Sequence, residues 1–224
     1  MSSSLAGVLL GLAVGLRHAF EPDHLTAVAT LATETRDARR GALLGALWGL
    51  GHTVSLVIVG IVLIAIGAAL PVRLGAWFEL GVCAMLVLLG VRAILRSREL
   101  GPVGLVHAHA HGDRMHVHAG ADPHLHVAGG VFALRPLAVG LVHGLAGSGA
   151  LTALVFAELP STSARIAYIA LFGIGSIVGM AAASAVVGVS LRTIERGRRA
   201  ITLIAGVTSI SLGVIWSLPL WSLA

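Results

Sequence analysis

At 224 residues, 57% hydrophobic and 11% charged, with a mean hydropathy of +0.95, the chain carries less than half the roughly 25% charged residues of an average soluble protein. That balance excludes a water-soluble globular domain and indicates an integral membrane protein. The net charge of +5 comes from 15 arginines with no lysine, and their placement at the ends of apolar blocks accounts for it without nucleic acid.

A spanning helix needs about 20 apolar residues. Six blocks meet that need, at roughly Ser4–Leu31, Gly41–Leu70, Gly75–Leu95, Phe132–Leu159, Ala164–Leu191 and Ala200–Leu220. The first lacks a basic start and runs directly into charged residues, so it is expected to stay as a span and not to be removed as a signal peptide.

Within that first block, His18-Ala-Phe-Glu-Pro-Asp-His24 places two imidazoles and two carboxylates at membrane depth. Ionisable groups there are costly and mark functional sites by default. Pro22 has no N–H for the carbonyl of His18 and its ring clashes there, so the helix should open near Pro22. On an unbroken helix His18 would lie about 140° from Asp23 and about 120° from His24, at ~100° per residue. Convergence on one ion therefore needs the break, and unwound backbone at this depth needs protein or a water-lined cavity around it.

The second block carries His52 among glycines at small-xxx-small spacing, Gly41, Gly45 and Gly49, whose plainest role is close helix contact. Cys83, the single cysteine, falls in the third block, excludes an internal disulfide and reads as packing. Trp77, Trp216 and Trp221 lie near block ends and read as interfacial anchors.

Between the third and fourth blocks, Val106–Val127 holds seven of the chain's 11 histidines: His107, His109, His111, His116, His118, His124 and His126. The segment has too little apolar content to fold alone and is expected to be mobile. Alternating histidines suit capture, buffering or sensing of a divalent metal.

The second half answers the first. "LAVGLRHAFEPDHLTAV" at Leu12–Val28 is matched by "LAVGLVHGLAGSGALTALV" at Leu137–Val155, which pairs His18 with His143. "ALWGLGH" ending at His52 is matched by "ALFGIGS" ending at Ser176, and the "LGV" ending at Val91 by the one ending at Val214. Three spans is an odd number, so the copies enter the membrane from opposite sides. The expected fold is an all-α integral membrane protein with six transmembrane helices as two inverted three-helix repeats, the first helix broken near Pro22. Residues 1–99 form the first repeat, 100–131 a His-rich cytoplasmic loop and 132–224 the second repeat, in one membrane domain. Arg36, Arg39, Arg40, Arg96, Arg98, Arg114, Arg135, Arg192, Arg196, Arg198 and Arg199 lie on one side, and Arg73 and Arg165 on the other. The positive-inside rule makes the rich side cytoplasmic, with both termini outside, in a bacterial-type inner membrane.

His18, Asp23 and His24 with His52, and His143 from the second half, are the candidate metal ligands; Glu21 and Ser148 rank lower. Imidazole and carboxylate suit nickel, cobalt or zinc over copper(I), which prefers sulfur, and over magnesium or calcium, which take oxygen cages. "RHAFEPDH" contains His-x4-Asp-His and resembles the signature of the nickel/cobalt transporter family (NiCoT, in the wider NicO group), and "LGHTVSL" at Leu50–Leu56 is similar to that family's second motif. The resemblance implies metal recognition by His18, Asp23 and His24, with His52 close by, in a shorter six-span branch. Where the family commonly has an Asp-Thr-Ala-Thr-Glu run, this chain has "HGLAGSGALTAL", which leaves His143 and Ser148 as the second-half candidates. The implied activity is transport of Ni²⁺ or Co²⁺ with no prosthetic group and no enzymatic step, uptake being the favoured direction. Proton-coupled efflux is the alternative, with Glu21, Asp23 or Glu158 as proton carriers. Other readings are a zinc exporter, an intramembrane serine protease using His143 and Ser148, and a non-transporting metal chaperone or urease-linked accessory protein. The bilayer and the divalent ion are the expected partners, with a second copy of the chain or a cytoplasmic metallochaperone as protein partners.

Overall fold

The computed structural model describes residues 2–32, 37–67, 70–99, 106–111, 114–119, 134–146, 159, 161–193 and 197–223. Seven helices lie within them: α1 (Ser2–His18), α2 (Pro22–Ala32), α3 (Ala38–Ile66), α4 (Val72–Glu99), α5 (Leu134–Ala146), α6 (Thr162–Thr193) and α7 (Arg198–Ser217), which runs on into a 3₁₀ turn at Leu218–Ser222. Four apolar stretches, Ala38–Ile66, Val72–Arg98, Thr162–Ser190 and Arg199–Ser222, are long enough to cross a bilayer, and Ala6–His18 and Leu134–Ala146 are shorter apolar helices. Leu88, Val186, Ile204 and Ile58 are among many large apolar side chains more than half exposed on the outer surface. A continuous apolar exterior of this kind belongs in lipid. This is a multi-pass helical membrane protein.

The first block is two helices, not one. Ala19, Phe20 and Glu21 leave the helix, and the His18 carbonyl accepts from the Glu21 N–H at 3.0 Å. Pro22 then opens α2 as its first residue, where its missing N–H costs nothing. The fourth block, expected over Phe132–Leu159, is described as helix only across Leu134–Ala146. Helix α3 starts at Asp37, whose carboxylate accepts from the Arg39 N–H at 3.3 Å, and stops at Gly67, whose φ of 63° is the left-handed conformation that only glycine adopts cheaply. In the His-rich segment, expected to be mobile, Val106–His111 and Arg114–Ala119 pair as an antiparallel ribbon with His107 opposite His118 and His109 opposite His116.

Helix α3 packs antiparallel on α6, with Gly41 against Ser184 and Gly60 against Ile169. Helix α4 packs antiparallel on α7, with Gly90 against Gly206 and Gly213 against Cys83. Two parallel contacts complete the bundle: Gly175 of α6 rests on Leu12 of α1, and Gly51 of α3 rests on Leu137 of α5. At Gly51 and Gly175 a Cβ would fall on the facing backbone, which is why small residues stripe these helices. Hydroxyls tie helices across the apolar interior, from Ser55 to the Leu141 carbonyl at 2.6 Å, Ser176 to Gly15 at 3.2 Å and Ser209 to Leu86 at 2.7 Å. Helix α2 is short and central, touching α3, α4, α6 and α7.

Candidate metal centre

The break between α1 and α2 turns His18, at the end of one helix, toward Asp23 and His24, in the first turn of the next. His24 is 1% exposed and Asp23 9%. Fully buried His52 comes from α3 and His143, 2% exposed, from α5. All five leading sequence candidates thus meet in one place. His18 lies 4.4 Å from His24 and 5.3 Å from His52 between ring centroids; His24 lies 5.3 Å from His52 and 4.2 Å from His143. Two triads have ligand atoms all within 4.8 Å of one another: His18, His24 and His52, and Asp23, His24 and His143. They share His24.

Carboxylates grip one side of three rings. Asp23 Oδ1 lies 3.0 Å from His24 Nδ1, and its Oδ2 lies 2.8 Å from His143 Nε2. Glu21 Oε2 lies 2.9 Å from His18 Nδ1. Glu21, a lower-ranked candidate from the sequence, is half exposed and is the partner of His18. The opposite nitrogens, His18 Nε2, His24 Nε2 and His143 Nδ1, are buried and make no hydrogen bond, and neither nitrogen of His52 makes one. Buried polar atoms are almost always satisfied, so this concentration of unpaired nitrogen stands out among the described residues. Imidazole nitrogens gathered this closely in an apolar bundle suit a borderline divalent metal.

Sequence reasoning missed the surroundings. Trp48, with no exposed surface, places its ring 5.5 Å from His24 and 5.6 Å from His143; its position one helical turn before His52 is the signal that would have found it. Phe172 lies 5.2 Å from His18. A cavity of about 720 Å³ leads to the cluster, lined by Glu21, Glu79, Cys83 and Trp216 together with His18, Asp23, His24 and His143. Cys83, read as packing, and Trp216, read only as an anchor, therefore face the approach to the site. The cavity lies toward the start of α4 and the end of α7, the arginine-poor side. Toward the other side Val28, Leu31, Leu86 and Leu89 are packed into one apolar cluster, and the space beside Leu31, Leu89 and Arg92 is only about 10 Å³. Ser148, Glu158, His124 and His126 lie outside the described residues. So do the side chains of His107, His109, His111, His116 and His118.

Apolar spans around a buried histidine and carboxylate cluster define a membrane protein built to handle a cation. The chain is 32% identical over 185 residues to the urease accessory protein UreH of Bacillus sp. (strain TB-90), covering 83% of this chain and 77% of that one. It belongs to the UreH family, within the nickel/cobalt transporter group. It is also 28% identical over 219 residues to the chloroplast protein FOR GROWTH AND FERTILITY 1 of Arabidopsis thaliana, covering 95% of this chain and 59% of that one. A 78-residue stretch, 34% of this chain and 22% of the relative, is 33% identical to the high-affinity nickel transport protein of Cupriavidus necator. No family profile matches the chain, and no solved structure matches it.

Proposed function

We propose that the protein moves Ni²⁺, with Co²⁺ as the related substrate, across a bacterial-type inner membrane through the His18, Asp23, His24, His52 and His143 cluster. The observation that carries this reading is the group of buried imidazole nitrogens without partners at the end of a cavity. A relative named as a nickel transport protein supports the choice of ion. The ion sheds water in the cavity, binds at the cluster, and leaves as the two halves rock about it. The protein holds no prosthetic group and carries out no covalent step.

The architecture proposed is six crossings in two inverted repeats, residues 1–99 and 132–224, joined by the His-rich segment 100–131. Its support is the way contacts recur. Gly175 meets Leu12 as Gly51 meets Leu137, and Gly15 meets Phe172 as Gly140 meets Trp48. These pairs correspond under the same alignment that matches His18 with His143.

The direction proposed is uptake. By the arginine count the poor side faces out, with both termini there and the His-rich segment in the cytoplasm, so the open cavity faces the side from which an ion would be imported. The membrane potential contributes about 2.3 kcal/mol per charge per 100 mV, or roughly 4.6 for a divalent ion, which favours inward movement. Radioactive nickel accumulation in cells expressing wild type and His18→Ala tests the site: the variant should fall to background, and equal accumulation would remove it. Nickel tolerance of the same cells separates import, which sensitises them, from export, which protects.

A further inference from the structure

We infer that the two carboxylates of the motif are not ligands to the ion but positioning residues, and that imidazole nitrogens of His18, His24 and His52 hold it. This rests on the proposed metal site and assigns its atoms. A carboxylate only accepts hydrogen bonds. At 3.0 Å from Asp23 Oδ1, His24 Nδ1 must therefore carry the hydrogen, as must His143 Nε2 at 2.8 Å from Oδ2 and His18 Nδ1 at 2.9 Å from Glu21. A neutral ring with hydrogen on one nitrogen has its lone pair on the other. Those other atoms, His18 Nε2, His24 Nε2 and His143 Nδ1, are the ones left buried without partners.

His18, His24 and His52 have ligand atoms within 4.8 Å of one another, and each brings a nitrogen with nothing else to do. Both Asp23 oxygens already serve imidazoles, Oδ1 that of His24 and Oδ2 that of His143. Carboxylates that orient metal-binding histidines and raise their basicity are a general feature of metal sites. Here two of them also supply negative charge to offset a divalent ion without touching it. The proline break serves this arrangement: it lets Glu21 reach back to His18 while Asp23 turns to His24 and across to His143.

Nitrogen-15 spectra of histidine-labelled, metal-free protein read the hydrogens directly. His18 and His24 should carry theirs on Nδ1 and His143 on Nε2; the opposite assignment at His24 overturns the inference. Nickel-edge anomalous scattering from nickel-soaked crystals should place the ion against the imidazoles of His18, His24 and His52, with no bond to an Asp23 oxygen. An ion bonded to Asp23 overturns the inference and leaves the transport site standing, whereas no ion at the cluster removes the site itself. In Asp23→Asn the amide nitrogen donates where a carboxylate oxygen accepted, so one of the two rings must turn its lone pair to the amide and carry its hydrogen on the opposite nitrogen. Nickel affinity should fall about 10- to 100-fold while X-ray absorption of the loaded variant counts the same imidazoles as wild type. A lost non-imidazole ligand in that comparison would identify Asp23 as bound.

Discussion

Asp23 and His143 stand 120 positions apart and meet at 2.8 Å, both buried, so the first helix pair and the second half of the chain are joined at the candidate site by one polar contact. Replacing His143 with alanine removes that partner and leaves one Asp23 oxygen unsatisfied in the bundle. Such an orphaned group costs about 1–3 kcal/mol, more when charged. His143→Ala should therefore lower the melting temperature in detergent as well as nickel uptake, and His143→Gln, which can still donate to Asp23, should recover the stability. Full uptake by His143→Gln would mean that the ring itself is not needed.

Pro22→Ala tests the break. Alanine at 22 supplies an N–H and removes the ring that clashes with the carbonyl of residue 18, so α1 and α2 can join into one helix. On a continuous helix His18 and His24 lie about 120° apart, and the cluster cannot close. Nickel uptake should fall at least tenfold while expression and helicity by circular dichroism hold or rise. Uptake at the wild-type level would show that the break is held by its surroundings and not by proline.

The break and the five leading candidates were legible because both are local violations of a membrane helix: charge in an apolar block, and a proline beside it. His143 was legible only through its match with His18. The partner chosen by Asp23 was not, since a carboxylate five residues from one histidine and one from another gives no sign that it bridges to a third 120 positions on. Trp48, Glu79 and Cys83 were passed over for a related reason. Each is ordinary in its own helix and gains a role only from the cavity and rings that α1, α2, α5 and α7 bring beside it. The parallel packing of α1 on α6 and of α5 on α3 was likewise hidden, because glycine spacing announces close contact without naming the partner.

Gly51 and Gly175 offer a test of the correspondence between the halves. Each rests on a facing backbone, Leu137 in one case and Leu12 in the other, with no room for a Cβ. Overpacking of this kind costs typically 1–3 kcal/mol or more, so Gly51→Val and Gly175→Val should each lower the yield of monodisperse protein and its melting temperature to a similar degree. Gly81, where an added Cβ would meet no neighbouring helix, should tolerate valine and serves as the control. A large difference between the two bundle variants would count against equivalent roles for α3 and α6.

Cys83 gives direct access to the cavity because it is the chain's single cysteine and lines the space that leads to His18 and His24. It is 5% exposed, so labelling reports whether a reagent can travel down the cavity and not merely whether a thiol lies on the surface. In right-side-out vesicles a small maleimide should modify Cys83, and in inverted vesicles it should do so far more slowly, since Val28, Leu31, Leu86 and Leu89 pack together on that side. Nickel in the external medium should slow the reaction, and His18→Ala together with His52→Ala should abolish that protection without changing the rate in nickel-free buffer. Faster labelling in inverted vesicles would reverse the assigned orientation, and protection that survives loss of both histidines would place the ion elsewhere in the cavity.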